Sequence, residues 1–414
     1  MEDTIIVEGG HRLAGEVRIS GSKNATVALI PAVVLATETT TIADVPKISD
    51  VNRLINLLEA LNIHVTKNGD NLTIDPSDIK NVVLDHEDVS KLRASYYFMG
   101  ALLGRFKYVK IKMPGGCDLG PRPIDYHLKG FEALGATVEY DNEYYTIHAD
   151  EIVGNHIYLD FPSVGATINI ILAAVHCKGR MILENAAKEP EIIDVITMLN
   201  KMGAKIRGAG TNEIIVDGVE RLGGCFHEII PDRIESGTYI LMAAAMASEV
   251  KVTNVIPQHI ESLLLKLKEM GVKMDIGIDS VTVYHSEDLK AVNVKTQPYP
   301  GFATDLQAPI SVLLTQAEGV SEVEETIYKE RNKHCFELEK MGAKTRIESN
   351  HFMFEGPCKL KGCEVEATDL RAGAAMIIAG LIAEGCTTIT NAYHIYRGYE
   401  GIKEKLTALG AVVK

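Results

Sequence analysis

Hydrophobic and polar positions recur along the chain in six similar units. Each unit contains an amphipathic helix that ends in an apolar residue, two variable residues, Leu or Met, and then Gly or Asn. These final residues follow one another at intervals of 68–73 positions and are Asn62, Gly135, Gly203, Gly271, Gly342 and Gly410. A glycine or asparagine after a periodic apolar run is typical of a helix C-cap. The recurrence therefore predicts six related structural units.

Each unit also contains a second helix that is apolar on almost every side, which predicts that it is buried. Alternating segments such as 204–206 and 214–216 predict strands. The segment that starts at Ile6 is echoed at Ile215, three units later. We therefore predict an α/β fold with two domains of three units each, related by pseudo-threefold symmetry, with the buried helices at the centre of each domain.

The predicted starts of the buried helices are polar, and charged residues gather there. Helix N-termini favour anions because their N–H groups are unpaired and the helix dipole is positive at that end. We therefore predict a basic pocket where these starts converge, although each charge could instead be a surface cap or ion pair. The charged residues are Lys23, Arg93, Arg233, Asp305, Asp369 and Arg371.

The composition of the chain disfavours several classes of binding partner and of structural site. The 414 residues exceed what one hydrophobic core normally holds, and the formal net charge of −14 disfavours nucleic acid and anionic membranes. Seven scattered cysteines without a CxxC pair predict neither a disulfide framework nor a zinc site, and suit the cytoplasm. The acidic N-terminus predicts no signal peptide, and the longest apolar runs are too short for a membrane span. We expect no metal, no cofactor and a monomer.

One loop, from Met113 to Pro123, departs from the regular units. It contains three glycines and three prolines, so it cannot form the middle of a helix or strand. Its unit runs 22 residues from the end of the central strand to the helix-ending glycine, against 17–19 in the others. Arg122 suits a phosphate or carboxylate and would lower the pKa of Cys117. We predict a catalytic lid; the alternative is a surface turn with an incidental cysteine.

Motifs along the whole chain resemble the UDP-N-acetylglucosamine 1-carboxyvinyltransferase family of enolpyruvyl transferases. The resemblance implies the inside-out α/β barrel, with domains at 22–230 and at 1–21 plus 231–414. The motifs are Gly21-Ser22-Lys23-Asn24-Ala25, Leu92-Arg93-Ala94-Ser95, the loop from Pro114 to His127, Ser163-Val164-Gly165-Ala166-Thr167, Glu189-Pro190-Glu191, Pro231-Asp232-Arg233, Thr304-Asp305-Leu306-Gln307, Thr368-Asp369-Leu370-Arg371 and His394-x-x-Arg397-Gly398-Tyr399-Glu400.

The family's reaction moves the enolpyruvyl group of phosphoenolpyruvate to the 3-hydroxyl of UDP-N-acetylglucosamine and releases phosphate. It is the first committed step of peptidoglycan precursor synthesis. The resemblance implies that Cys117 protonates the methylene carbon or shields the intermediate, and that it can form a covalent adduct with phosphoenolpyruvate or with the epoxide fosfomycin. Asp305 would accept the hydroxyl proton, late in the reaction because a carboxylate is a weak base.

Further roles follow from the same resemblance, matched position by position. The residues implied for catalysis are Cys117, Asp305, Lys23 and Arg397. Those implied for phosphoenolpyruvate are Lys23, Asn24, Arg122, Arg371 and Arg397. Those implied for the nucleotide sugar are Arg93, Arg122, Pro123, Ile124, Asp125, Ser163, Val164, Gly165, Asp305 and Ile327. Supporting roles are implied for His127, Glu189, Asp232, Arg331 and Asp369, and His127 could equally be a hydrogen-bonded structural histidine.

Three alternatives remain open at this point. The first is 5-enolpyruvylshikimate-3-phosphate synthase, which shares the fold and the reaction type but lacks the Pro-Gly-Gly-Cys loop. The second is a weakly active regulatory paralogue that binds UDP-N-acetylglucosamine. The third, a relative of the RNA 3′-phosphate cyclases, conflicts with the acidic composition.

Overall fold

The computed structural model describes residues 4–115, 124–328 and 330–414. Cys117, Arg122 and Pro123, to which the sequence assigns chemistry, lie outside this part of the chain. No helix among the described residues is both long enough and apolar enough to cross a lipid bilayer.

The described residues form 23 β-strands, most of them three to six residues long. They are β1 Thr4–Glu8, β2 Leu13–Arg18, β3 Thr40–Ala43, β4 His64–Asn68, β5 Asn71–Asp75, β6 Tyr108–Lys112, β7 Thr137–Tyr140, β8 Tyr144–His148, β9 His156–Tyr158, β10 Arg180–Glu184, β11 Lys205–Arg207, β12 Glu213–Asp217, β13 Phe226–Glu228, β14 Ala247–Thr253, β15 Met274–Ile276, β16 Ser280–Tyr284, β17 Asn293–Lys295, β18 Gly319–Glu324, β19 Lys344–Glu348, β20 His351–Gly356, β21 Glu364–Glu366, β22 Cys386–Thr390 and β23 Val412–Val413.

The same part of the chain contains 13 α-helices, together with several short 3₁₀ turns. The helices are α1 Lys23–Ala32, α2 Ser49–Ala60, α3 Glu87–Lys91, α4 Tyr97–Phe106, α5 Asp125–Ala133, α6 Val164–Ala174, α7 Pro190–Lys201, α8 Arg233–Met246, α9 Glu261–Met270, α10 Gln307–Leu314, α11 Lys333–Lys340, α12 Leu370–Ile382 and α13 Ile402–Ala408.

Six sheets of the described chain share one pairing scheme, which confirms the predicted six-unit repeat. In five sheets a central strand pairs parallel to an edge strand of three to six residues and antiparallel to a second strand, which also pairs antiparallel to the fourth; β10, for example, pairs parallel to β9 and antiparallel to β12. In the sheet of β6, β8 and β7, the parallel edge is a single bridge between Leu84 and Ile111. The residues that end the six predicted amphipathic helices all have positive φ, between 62° and 110°, as their predicted role requires.

The chain divides into two compact units, one formed by residues 4–20 and 231–414, the other by residues 21–115 and 124–230. Strand pairing explains why the N-terminal segment belongs with the C-terminal half. The strand β1 pairs with β22 and β23, and β2 pairs parallel to β14. In the other unit, β13 completes the sheet of β3. Each unit has its own hydrophobic core.

Helices α1, α4 and α6 in one unit, and α8, α10 and α12 in the other, are the predicted buried helices. The residues of α6 from Gly165 onward are all buried, for example. Four of the six begin at a side chain that accepts a hydrogen bond from the first turn: Ser22, Ser163, Asp232 and Asp369. The other two are preceded by 3₁₀ turns without a capping side chain, Arg93–Tyr96 and Thr304–Leu306. Arg93 and Asp305 lie in these turns rather than in α-helices.

Candidate functional site

Lys23 is the first residue of α1, where the backbone N–H groups of the first turn add to its positive charge. Its Nζ lies 3.9 Å from Oδ2 of Asp50, a fully buried carboxylate. Arg53 also approaches Asp50, at 3.1 Å. The Lys23 side chain is about one-sixth exposed and has the buried Asp50 carboxylate as a counter-charge. Asn24 follows it in the first turn and is partly buried.

Arg93 lies near an aromatic cluster in the same unit, formed by the partly buried Tyr96 and the buried His127. Its guanidinium carbon is 6.0 Å from the centre of the Tyr96 ring, and that ring meets His127 edge to face at 4.6 Å. A Cβ on Gly165 would lie only 2.6 Å from the Tyr96 hydroxyl oxygen, so the absence of a side chain there lets Tyr96 pack against the start of α6. The structure thus brings together Arg93, His127 and Gly165, three of the predicted residues.

His127 is buried, and its Nδ1 lies 2.9 Å from the side-chain nitrogen of Asn169. Asn169 Nδ2 also donates to the Tyr96 carbonyl, while its Oδ1 accepts from the Gly100 N–H. This network assigns Nδ1 of His127 as the acceptor and leaves the proton of the neutral ring on Nε2. Burial, and secondarily Arg93, lowers the pKa of His127 to about 3. These contacts favour the structural alternative for His127.

The remaining predicted residues of this unit lie at helix starts. Ser163 caps α6 by accepting from the Ala166 N–H, and Val164 is the first helical residue. Ile124 is buried at the start of α5, whereas Asp125 is exposed in its first turn. Glu189 is the buried residue that precedes α7.

Asp305 is the centre of the charged cluster in the other unit. Its Oδ1 accepts from Arg331 NH1 at 3.0 Å, and its Oδ2 accepts from Arg371 NH2 at 3.1 Å. Both guanidinium groups are at least 95 % buried, while Asp305 remains about one-quarter exposed. Each carboxylate oxygen thus accepts from a different charged donor, which restrains the orientation of the Asp305 side chain.

Arg371 belongs to a buried network that includes Asp232. Burial lowers the pKa of Arg371, but Tyr399, Asp305 and Asp232 raise it by more, so the guanidinium stays charged. Its Cζ lies 5.3 Å from the centre of the Tyr399 ring. Asp232 itself caps α8 by accepting from the N–H groups of the first turn.

Asp369 caps α12, and its charge also acts on Arg331. Arg397 is buried and ends the 3₁₀ turn Ala392–Arg397. Ile327 follows β18, and its backbone N–H donates to the carboxylate of Glu325 at 2.7 Å. The predicted residues Asp232, Asp305, Arg331, Asp369 and Arg371 therefore form one electrostatic cluster.

The sequence analysis did not identify several residues that contact and position the predicted site residues. Asp50 contacts Lys23, Asn169 holds His127, and Glu325 holds the Ile327 segment. Two signals were available. Asn169 is the only amide side chain in α6, where Thr167 is the only other polar residue. Glu325 stands at the strand end where four other units carry Asp or Asn with positive φ, at Asp44, Asn185, Asn254 and Asn391.

Comparison with known proteins places these residues in a family. A family model described as EPSP synthase (3-phosphoshikimate 1-carboxyvinyltransferase) matches residues 7–406. A protein of Geobacillus kaustophilus named UDP-N-acetylglucosamine 1-carboxyvinyltransferase 2 is 55% identical over 99% of this chain and 96% of its own. A Streptococcus pneumoniae protein named UDP-N-acetylglucosamine 1-carboxyvinyltransferase is 53% identical over 99% of this chain and 98% of its own.

A solved structure supports the same conclusion. The enolpyruvyl transferase NikO from Streptomyces tendae superposes with a TM-score of 0.91 at 27% identity, over 99% of this chain and 98% of that chain. The predicted family, the predicted fold class and the prediction that the chain is an enzyme are confirmed. The chain belongs to the UDP-N-acetylglucosamine 1-carboxyvinyltransferase family of enolpyruvyl transferases.

Proposed function

We propose that this chain transfers the enolpyruvyl group of phosphoenolpyruvate to the 3-hydroxyl of UDP-N-acetylglucosamine and releases phosphate, as the first committed step of peptidoglycan precursor synthesis. The observation that carries the proposal is sequence identity. Proteins named UDP-N-acetylglucosamine 1-carboxyvinyltransferase are 53–55% identical to this chain over 99% of its length. A solved EPSP synthase from Acinetobacter baumannii is only 18% identical to this chain, so the much higher identity to the proteins named above favours UDP-N-acetylglucosamine as the acceptor.

The charges of phosphoenolpyruvate explain why lysine and arginine side chains are assigned to bind it. A phosphate and a carboxylate on three carbons need several positive groups at short range, and each charge-assisted hydrogen bond contributes about 1.5–3 kcal/mol. We assign this role to Lys23, Arg122, Arg371 and Arg397, with Asn24 beside Lys23. The position of Lys23 at the start of α1 supports its assignment.

The reaction needs one proton donor and one proton acceptor. We assign proton delivery to the methylene carbon to the Cys117 thiol, after which the sugar oxygen bonds to the neighbouring carbon. Loss of a proton from the resulting methyl group to the Cys117 thiolate then accompanies departure of phosphate and restores the thiol. We assign the hydroxyl proton to Asp305. Since both its oxygens already accept from guanidinium groups, it is a weak base, and we expect transfer late in bond formation.

The family also implies a set of residues that would contact the nucleotide sugar. We assign this role to Arg93, Arg122, Pro123, Ile124, Asp125, Ser163, Val164, Gly165, Asp305 and Ile327. The aromatic cluster of Tyr96 and His127 supports the assignment of Arg93 and Gly165, because it fixes the Arg93 turn against the start of α6. Glu189 would support these contacts from the start of α7.

Further properties are proposed from the family. Cys117 would form a covalent adduct with phosphoenolpyruvate and with fosfomycin. We propose that the protein is a cytoplasmic monomer; the six described cysteines, which are all free thiols, support a reducing compartment.

The experiment is a phosphate-release assay with phosphoenolpyruvate and one of two acceptors. We expect release with UDP-N-acetylglucosamine and none with shikimate 3-phosphate. A Cys117→Ser variant should lose about 100-fold or more of the rate, since general acid catalysis contributes that much. Cys386→Ser, which alters an exposed thiol, is the matched control and should keep the wild-type rate.

Release with shikimate 3-phosphate alone would replace the proposed acceptor. Tight binding of UDP-N-acetylglucosamine without release would instead identify the chain as the weakly active paralogue.

A further inference from the structure

We propose that Thr304 and Glu325 form a directional hydrogen-bond relay that positions Arg331 against Asp305, so that both are positioning residues for the reaction. The inference rests on the proposed function, because it assigns proton acceptance to Asp305. The four residues lie in one unit of the chain and are all described by the structure.

The relay ends at the carboxylate of Glu325, which is only 2 % exposed. Its Oε1 accepts from the N–H groups of Ile327 and Tyr328, at 2.7 and 3.1 Å, and from the Thr296 hydroxyl at 2.9 Å. Its Oε2 accepts from the Thr304 hydroxyl at 2.8 Å. Four donors therefore converge on one buried carboxylate, which an ionised group, being acceptor only, can satisfy.

The direction of the relay follows from the single proton of the Thr304 hydroxyl. Because this proton is donated to Glu325, the hydroxyl oxygen is free to accept, and it lies 2.9 Å from Arg331 NH1. The same NH1 group donates to Asp305 Oδ1 at 3.0 Å. A guanidinium NH₂ group has two hydrogens, so these two bonds use both and fix the rotation of the Arg331 fork beside Asp305.

Glu325 also connects two segments that the sequence assigns to different roles. Its Oε2 holds the turn that contains Asp305, and its Oε1 holds the segment that contains Ile327. Four other units end the equivalent strand with Asp or Asn at φ between 54° and 61°. Glu325 is not among the residues with positive φ, and its longer side chain reaches the Thr304 turn. The fifth unit therefore departs from the repeat at the point where the relay begins.

The test compares four variants of the full-length chain with wild type: two at Thr304, one at Glu325 and one control. Thr304→Val keeps the shape of the side chain but removes the donor and the acceptor, whereas Thr304→Ser keeps both. Thr315→Val is the matched control, because Thr315 is a buried threonine near the other end of α10 whose hydroxyl donates to the Val312 carbonyl. The readouts are kcat and KM for phosphate release and the dissociation constant of UDP-N-acetylglucosamine from calorimetry.

We expect Thr304→Val to lower kcat by about 10- to 100-fold, since a small misplacement of a reacting group has effects of this size. The dissociation constant of the sugar nucleotide should change far less than kcat. Thr304→Ser should restore kcat to near wild type, and Thr315→Val should lower the melting temperature without changing kcat. Glu325→Gln should lower kcat as well, because either orientation of its amide points N–H groups at existing donors.

A Thr304→Val variant with wild-type kcat, or a Thr304→Ser variant that loses as much as Thr304→Val, would overturn the relay. An inactive wild-type chain would contradict the proposed function instead. In that case a crystal structure of Thr304→Val tests the relay. The Arg331–Asp305 hydrogen bond should be lost in it, and an unchanged hydrogen bond would overturn the relay.

Discussion

Replacing Asp305 with asparagine is expected to lower kcat for phosphate release by about a thousandfold, within the range seen for general acid–base groups. The side chain keeps its shape but can no longer accept the hydroxyl proton. Its amide would also point N–H groups at Arg331 or Arg371, both of which now donate to the carboxylate. Steady-state kinetics at saturating UDP-N-acetylglucosamine measure the loss.

The control for this experiment is Asp279→Asn, which alters an exposed aspartate between two strands of the same unit. It should keep the wild-type kcat. If Asp305→Asn retains kcat within about tenfold of wild type, the side chain does not accept the proton, and its role is limited to holding the two arginines.

Replacing Lys405 with methionine is expected to destabilise the fold by about 3–5 kcal/mol at pH 8, the usual cost of removing one partner from a buried ion pair. Lys405 Nζ lies 2.6 Å from Oε1 of Glu235, which is 2 % exposed, and also donates to the Ser20 hydroxyl at 2.8 Å. The Ser20 N–H donates to the other oxygen of Glu235. Without the ammonium group, the charged carboxylate loses its only ion-pair partner among the described residues.

The destabilisation caused by Lys405→Met should increase as the pH rises. Burial raises the pKa of Glu235 to about 7, although Lys405 opposes the shift. The folded state thus favours the protonated acid, and this contribution is complete below the unfolded pKa of about 4.3 and disappears as pH rises through 7. Urea unfolding of Lys405→Met should show a much smaller loss at pH 5 than at pH 8. An equal loss of unfolding free energy at pH 5 and pH 8 would mean that the charge on Glu235 is not the cause. Lys403→Met is the control, because it removes another lysine of the same helix.

The repeat could be predicted from sequence because its signals are local. Apolar periodicity and a terminal Gly or Asn depend on residues within one or two helical turns. The helix ends at Gly203 and Gly271 can therefore be predicted from the neighbouring residues alone. Pairing of β1 with β22 joins segments almost at opposite ends of the chain. That contact came from the family resemblance and not from any periodicity.

The site could be predicted only in part, for the same physical reason. Lys23 and Asp305 are recognisable because they stand at polar starts of apolar helices. The residues that hold them are not, since Asp50 reaches Lys23 from a separate helix, and Glu325, which follows β18, reaches Thr304, the residue before Asp305. Which charged residues contact one another is decided by the packing of separate elements, as for Arg371 and Asp305, which are 66 residues apart in the sequence. The sequence marks Asp50 only as an acidic residue in the first turn of α2, an ordinary position for one.

The most direct test of the central claim is the identity and amount of product formed by the wild-type chain from phosphoenolpyruvate and UDP-N-acetylglucosamine. Mass spectrometry identifies the nucleotide product, and a phosphate assay on the same sample measures release. The account predicts one enolpyruvyl-bearing nucleotide sugar for each phosphate released. Phosphate without a modified nucleotide sugar, or an unmodified nucleotide sugar bound without phosphate release, would contradict it.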